Sequence, residues 1–125
     1  SKVPALQGQL IFLSAGDEKV FDIVSPHLKA MGKAEYFLGE IGAGTRMKLV
    51  VNMVMGSMMT CIAEGLALAE ASALSQDQLV EILKLGVCGN GLVTLKGPNI
   101  VKRSYDTHFP LKHAQKDMRF ALALG

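Results

Sequence analysis

At 125 residues, half of them hydrophobic and only 19% charged, the chain has the apolar content of one buried core and too much of it for a disordered segment. The formal net charge is +2, no block of five like charges exists, and Lys102-Arg103 is the nearest basic cluster, which argues against a nucleic-acid or charged-membrane partner. Cys61 and Cys88 have neither CxxC nor metal-ligand spacing, and His27, His108 and His113 are as scattered, so free thiols in a reducing compartment and no metal site are expected.

Ser1 to Ala5 reads as loop. Gln9 to Ala15 is a short apolar run closed by Gly16-Asp17, hence a buried strand and turn. Asp17 can cap the next helix, whose apolar positions Val20, Phe21, Val24, Leu28 and Met31 recur with helical period; Pro26 is expected to distort or shorten it and Gly32 to end it. Ala34 to Leu38 is a second strand. A βαβ unit of this kind needs a larger sheet to cover its faces, so most of that sheet is expected outside these residues.

Glycines 39, 42 and 44 form a loop that feeds a long helix, expected from Thr45 to about Ala73 with Thr45 as N-cap. Lys48 then stands where a capping box wants Glu or Gln, a first-turn cation against the helix dipole at a cost of a few tenths to about 1 kcal/mol. Such broken local rules tend to mark function, and Asn52 follows at i+4 on the same face. The run Leu49 to Ala63 holds Asn52, Ser57 and Thr60 and falls short of about 20 apolar residues, so a buried core helix is expected and not a membrane span.

Ser75-Gln76-Asp77-Gln78 is a capping box ahead of Leu79, Ile82, Leu83 and Leu85, with Gly86 as C-cap. Gly89-Asn90-Gly91 is a loop, and Leu92 to Lys102 is helical but interrupted at Gly97-Pro98. The last helix starts at Pro110, with Leu111, Ala114, Met118, Ala121 and Leu122 facing inward. The Met-rich run from Met47 to Met59 is adaptable core packing, not a ligand box. The dinucleotide fingerprint GxGxxG after a first strand is absent, and Gly39, Gly42 and Gly44, in reversed spacing, read as a connecting turn.

The pattern Gly39-x-x-Gly42-x-Gly44-x-x-x-Lys48-x-x-x-Asn52 resembles the catalytic-lysine signature of the β-hydroxyacid dehydrogenases, and Met53 to Met59 continues as in that family's plant glyoxylate/succinic semialdehyde reductases. A second block, Phe109 to Arg119, resembles the family's F-x-L-K-H-x-x-K-D-[LM]-R segment. The resemblance implies that Lys48 gives a proton to the carbonyl oxygen as hydride arrives, a task suited to an ammonium that also stabilises the developing alkoxide. It implies that Asn52 helps hold lysine and substrate, that Lys116 contacts the cofactor, and that Asp117 and Phe109 complete the active-site wall. Lys48, Asn52 and Asp117 are thus the catalytic candidates, Lys116 the cofactor-binding one, and Asn52 and Phe109 the substrate-binding ones. On the residues alone, the second block is a surface helix in which His113 and Asp117 pair at i, i+4 and the lysines are solvated.

The resemblance covers essentially the whole chain but maps to the middle of a longer enzyme. The expected fold is an α/β fragment: residues 1–43 as the last βαβ of a Rossmann-type NAD(P)-binding domain, and residues 44–125 as the interdomain helix and first part of an all-α 6-phosphogluconate-dehydrogenase-like domain. The implied function is NAD(P)H-dependent reduction of small aldehyde acids, glyoxylate or succinic semialdehyde, with NADPH favoured over NADH. A homo-oligomer joined through the helical domain and a cytoplasmic or organellar location are expected, without nucleic-acid or membrane partners. The alternative is a non-catalytic dehydrogenase-like helical module for oligomerisation or protein interaction, as in nuclear relatives that lack the lysine; Lys48 argues against it.

Overall fold

The computed structural model describes residues 2–125, the Lys2 side chain excepted; Ser1, the start of the expected leading loop, lies outside the described residues. From Lys2 to Leu6 the backbone is a short helix, α1, instead of loop. Pro4 is tolerated there because first-turn amides have no intrahelical partner to lose.

Strands β1 (Leu10–Ser14) and β2 (Gly32–Phe37) pair in parallel, Ile11 opposite Ala34 through Ser14 opposite Phe37, and α2 (Glu18–Met31) crosses between them. Asp17 caps α2 by accepting from the Lys19 and Val20 amides at 2.8 and 3.2 Å. The expected break at Pro26 does not occur. Pro26 and Asp22 lie on the exposed side of α2, so the carbonyl that loses its i+4 donor faces solvent, which lowers the penalty. The Phe21 and Phe37 rings, 5.2 Å apart, seat α2 on β2, while the Ser25 hydroxyl donates to Glu35 and Lys29 pairs with it at 3.5 Å.

Helix α3 runs Ala43–Ala71, starting two residues ahead of expectation. Gly42, at φ 91°, turns the chain into it, and Gly44 is buried so close to β1 that a Cβ would run into the Leu13 carbonyl. Thr45 is therefore an exposed residue inside the helix and not its cap. Lys48 correspondingly stands in the second turn, not the first as expected, where the dipole penalty has faded.

The expectation of a buried α3 is also corrected. Met47, Val50, Val51, Met53, Val54 and Leu68 are exposed, and by length and composition the whole helix is long and apolar enough to cross a membrane. Its less exposed side is one stripe: Gly44, Lys48, Asn52, Gly56, Met59, Ile62, Leu66 and Ala69.

The chain divides into two compact units, residues 1–51 with 121–125, and residues 52–120. The first holds the βαβ. In the second, the rest of α3 packs with α4 (Gln76–Leu85) and α5 (Gly91–Val101) around buried Ile62, Leu66, Val80 and Val93. Ser75 caps α4 through the Gln78 amide, and Asn90 caps α5, accepting from Leu92 and Val93 at 2.8 and 3.0 Å. Helix α5 is not interrupted at Gly97-Pro98. Gly97 faces Val80, whose methyl carbons would stand 3.0 and 3.1 Å from a Cβ, so the glycine sets the approach of α5 to α4. The carbonyl freed by Pro98 is that of exposed Thr94.

The last helix, α6 (Leu111–Leu124), follows Pro110 directly. Leu111 and Leu122, expected inside, are each 83% exposed, and the buried residue of the helix is Asp117, between half-buried Ala114, Met118 and Ala121.

Candidate active site

In the helical unit, the structure brings together Asn52, Lys116 and Asp117. Asp117 is 1% exposed, a carboxylate in the interior of an otherwise apolar helix face. It accepts from the Asn52 Nδ2 amide at 2.5 Å through one oxygen, and Lys116 Nζ lies 3.0 Å from the other. A buried carboxylate is tolerable only when such partners replace its hydration. The pairing also corrects a reading made on residues alone: Asp117, 1% exposed, does not face outward toward His113. His113 instead lies against Phe109, ring centroids 6.1 Å apart.

Lys116 is 42% exposed and keeps ammonium hydrogens for a further acceptor. Its ammonium also lies 5.8 Å from the centre of the Phe120 ring, a cation–π distance. Phe109, just ahead of α6, is 44% exposed. Met118 lays its thioether over Gly56, its methyl 2.7 Å from where a Cβ would be, one turn beyond Asn52. Sequence reasoning did not pick out this Gly56–Met118 contact; its signal is the i+4 step from Asn52 and the adjacency of Met118 to Asp117.

In the first unit, Lys48 is half-buried and lines an open hollow of about 360 Å³ with Ile11, Phe12, Leu13, Gly44 and Thr45. Thr45 was missed as a lining residue, although its i, i+3 relation to Lys48 puts the two on one side of α3. Among the described residues no group of three or more His, Cys, Asp or Glu side chains could hold a metal ion, and Cys61 and Cys88 are free and exposed.

Residues 42–125 match the family model described as the NAD-binding domain of NADP-dependent 3-hydroxyisobutyrate dehydrogenase. Over all 125 residues the chain is 54% identical to glyoxylate/succinic semialdehyde reductase 1 of Arabidopsis thaliana and 52% identical to the chloroplastic reductase 2 of that plant, covering 43% and 35% of their lengths. It is also 44% identical over 118 residues to the human cytokine-like nuclear factor N-PAC, matching 94% of this chain and 21% of that protein. The fold is that of a solved 3-hydroxyisobutyrate dehydrogenase from Salmonella typhimurium, with a TM-score of 0.89 at 21% identity over 99% of this chain and 44% of that one. The chain thus spans less than half the length of the proteins it matches.

Proposed function

The chain belongs to the family of NADP-dependent 3-hydroxyisobutyrate dehydrogenases, and from that premise we propose that it is part of an NAD(P)H-dependent reductase of small aldehyde acids such as glyoxylate or succinic semialdehyde. The observation that carries this reading is the 54% identity with the plant reductase along every residue of the chain. Residues 1–43 are in this reading the end of the nucleotide-binding domain, and residues 44–125 the interdomain helix and the first part of the helical domain.

Lys116 fits a dinucleotide partner, being a half-exposed cation in ion contact with Asp117 whose ammonium hydrogens can serve a cofactor oxygen. NADPH is favoured over NADH; when bound, the reduced nicotinamide supplies hydride to the carbonyl carbon. The electron pair of the breaking carbonyl π bond then moves to oxygen, and Lys48 gives that oxygen a proton and stabilises its charge until it does. Asn52 holds the reacting groups in register, Asp117 supports it, and Phe109 forms part of the apolar wall beside the substrate. The exposed apolar side chains of the helices, among them Leu68, Ile82, Leu85 and Leu95, suit coverage by the remainder of a longer chain and by a second subunit. A monomer in sedimentation velocity that binds no hydrophobic dye would count against that assembly. Two free exposed thiols suit a cytoplasmic or plastid location.

The test is kinetic and uses the full-length protein. Lys48→Ala lowers kcat by about two or more orders of magnitude with a smaller change in cofactor affinity, the range of a lost general acid. Lys48→Arg rescues little, because a guanidinium keeps its proton near neutral pH. Lys116→Ala has the opposite signature, mainly weaker cofactor binding. An arginine variant with near wild-type kcat sinks the proton-donor assignment. A second reading, a non-catalytic interaction module, draws support from the similarity to N-PAC. Full activity loss in Lys48→Ala with an intact fold would exclude it.

A further inference from the structure

We infer that Asp117 is a positioning residue that acts through Asn52: it dictates which way round the Asn52 amide sits, nitrogen toward α6 and oxygen away from it. The inference deepens the reductase reading and rests on it for its catalytic consequence. An asparagine side chain is nearly symmetric in shape, so sterics alone do not choose between its two orientations; its neighbours' donors and acceptors do.

Here the neighbour is a carboxylate. With the Lys116 ammonium 3.0 Å from one oxygen, Asp117 is an acceptor and offers no proton to an amide oxygen. Its other oxygen, 2.5 Å from Nδ2, can only take the amide nitrogen's hydrogen. Flipping Asn52 would set an amide oxygen against a carboxylate oxygen at a 2.5 Å separation that leaves no room for a bridging water, with Asp117 1% exposed, so the flipped state is strongly disfavoured.

The surroundings remove the remaining freedom. Asn52 is half-buried on a continuous helix, and one turn further the Met118 thioether lies on Gly56, which keeps α6 at close range. The result is a fixed presentation: Oδ1 and the second Nδ2 hydrogen of Asn52 project at set angles, an acceptor and a donor whose identities cannot exchange. For a reaction in which a carbonyl oxygen becomes a hydroxyl, such a fixed pair discriminates between oxygen as acceptor and oxygen as donor, which a freely flipping amide does not. That is a task for an orienting partner rather than for a group that itself meets substrate.

The test has a spectroscopic arm that needs no activity. In the ¹H–¹⁵N spectrum of the chain, the Asn52 side-chain amide, assigned by its loss in Asn52→Ser, is expected to show one proton shifted downfield and protected from solvent exchange. In Asp117→Asn, which keeps the shape but lets the neighbour donate as well as accept, that proton moves upfield and exchanges at least about tenfold faster. In the full-length protein the same variant loses roughly 10- to 100-fold in kcat, the scale of a misplaced reacting group, while its cofactor Kd stays within about twofold. An unprotected Asn52 amide in the wild-type spectrum overturns the inference whether or not the variant folds, and so does a disturbed amide with an unchanged kcat. The swapped pair Asn52→Asp with Asp117→Asn separates structure from positioning: it is expected to restore thermal stability relative to the single changes but not kcat, and equal recovery of kcat overturns the positioning role. If Lys48→Ala keeps wild-type turnover, the reductase reading fails while the amide measurement stands.

Discussion

The two units of the chain bury their side chains very differently. Among the described residues, every buried apolar side chain belongs to residues 52–120: Ile62, Leu66, Ala69, Val80 and Val93. Among the described residues of the βαβ unit the one buried residue is Gly44, while Ile23 is 72%, Tyr36 55% and Ile41 86% exposed. The helical unit can close on itself because three helices place apolar stripes against one another. A two-stranded parallel sheet cannot, since one helix covers one face and both strand edges stay open. The βαβ unit therefore has its local form from short-range signals, whereas the helical unit has a core of its own.

The sharpest way to break that contrast is to remove core atoms on each side. Leu66→Ala, at a position 0% exposed, is expected to lower the unfolding free energy by about 2–5 kcal/mol in denaturant titration. Ile23→Ala, at 72% exposure, is expected to cost under about 0.5 kcal/mol. Equal losses would mean that the sheet unit is covered in solution.

Cap removal refines the same contrast with matched chemistry. Asn90 and Asp17 each accept two backbone amides at a helix start. Asn90→Ala is expected to cost about 1 kcal/mol globally, because α5 is welded to the core. Asp17→Ala is expected to show mainly as faster amide exchange within α2, with the global midpoint little changed. Comparable shifts in the global midpoint for both would show that the units unfold together.

A smaller gain is expected at Ala73, two residues past the end of α3, at φ 57° with the Leu74 amide bonded back to Ala69 at 2.8 Å. Glycine there relieves the left-handed strain, offset in part by greater freedom of the unfolded chain, for a net stabilisation of roughly 0.5–1 kcal/mol by thermal melting. A lower melting temperature in Ala73→Gly would refute that account. The smallest effect belongs to the Glu70–Arg103 pair, 3.0 Å apart with both side chains more than half exposed. Glu70→Gln should change stability by less than about 0.5 kcal/mol and leave no measurable salt dependence behind. A loss above 1 kcal/mol would place the pair among the supports of the core.

What could be read from residue order was local. The two strands, the Asp17 and Ser75 caps and the helical periods of α2 and α4 depend on contacts within a few residues, and the parallel βαβ followed by helices is the fold observed. The misreadings share one cause. Pro26 and Pro98 are breaks in an isolated helix, but each frees a carbonyl on an exposed side, and that side is chosen by packing. Thr45 is a good cap by type, yet the approach of Gly44 to Leu13 draws the helix start back to Ala43. Leu111 and Leu122 are apolar and were expected inside, but the rotation of α6 turns Asp117 inward instead.

Asn52 and Asp117 lie 65 residues apart, and their meeting is the clearest case. By itself the sequence determined that an amide stands one turn after Lys48 on a long helix, and that a Lys-Asp pair sits on the last one. Only the tertiary structure decided that the aspartate is the buried member and that its oxygen takes the amide nitrogen. The physical reason is that helical period gives spacing along an element, whereas burial of a charge depends on which partners another element brings within hydrogen-bond distance.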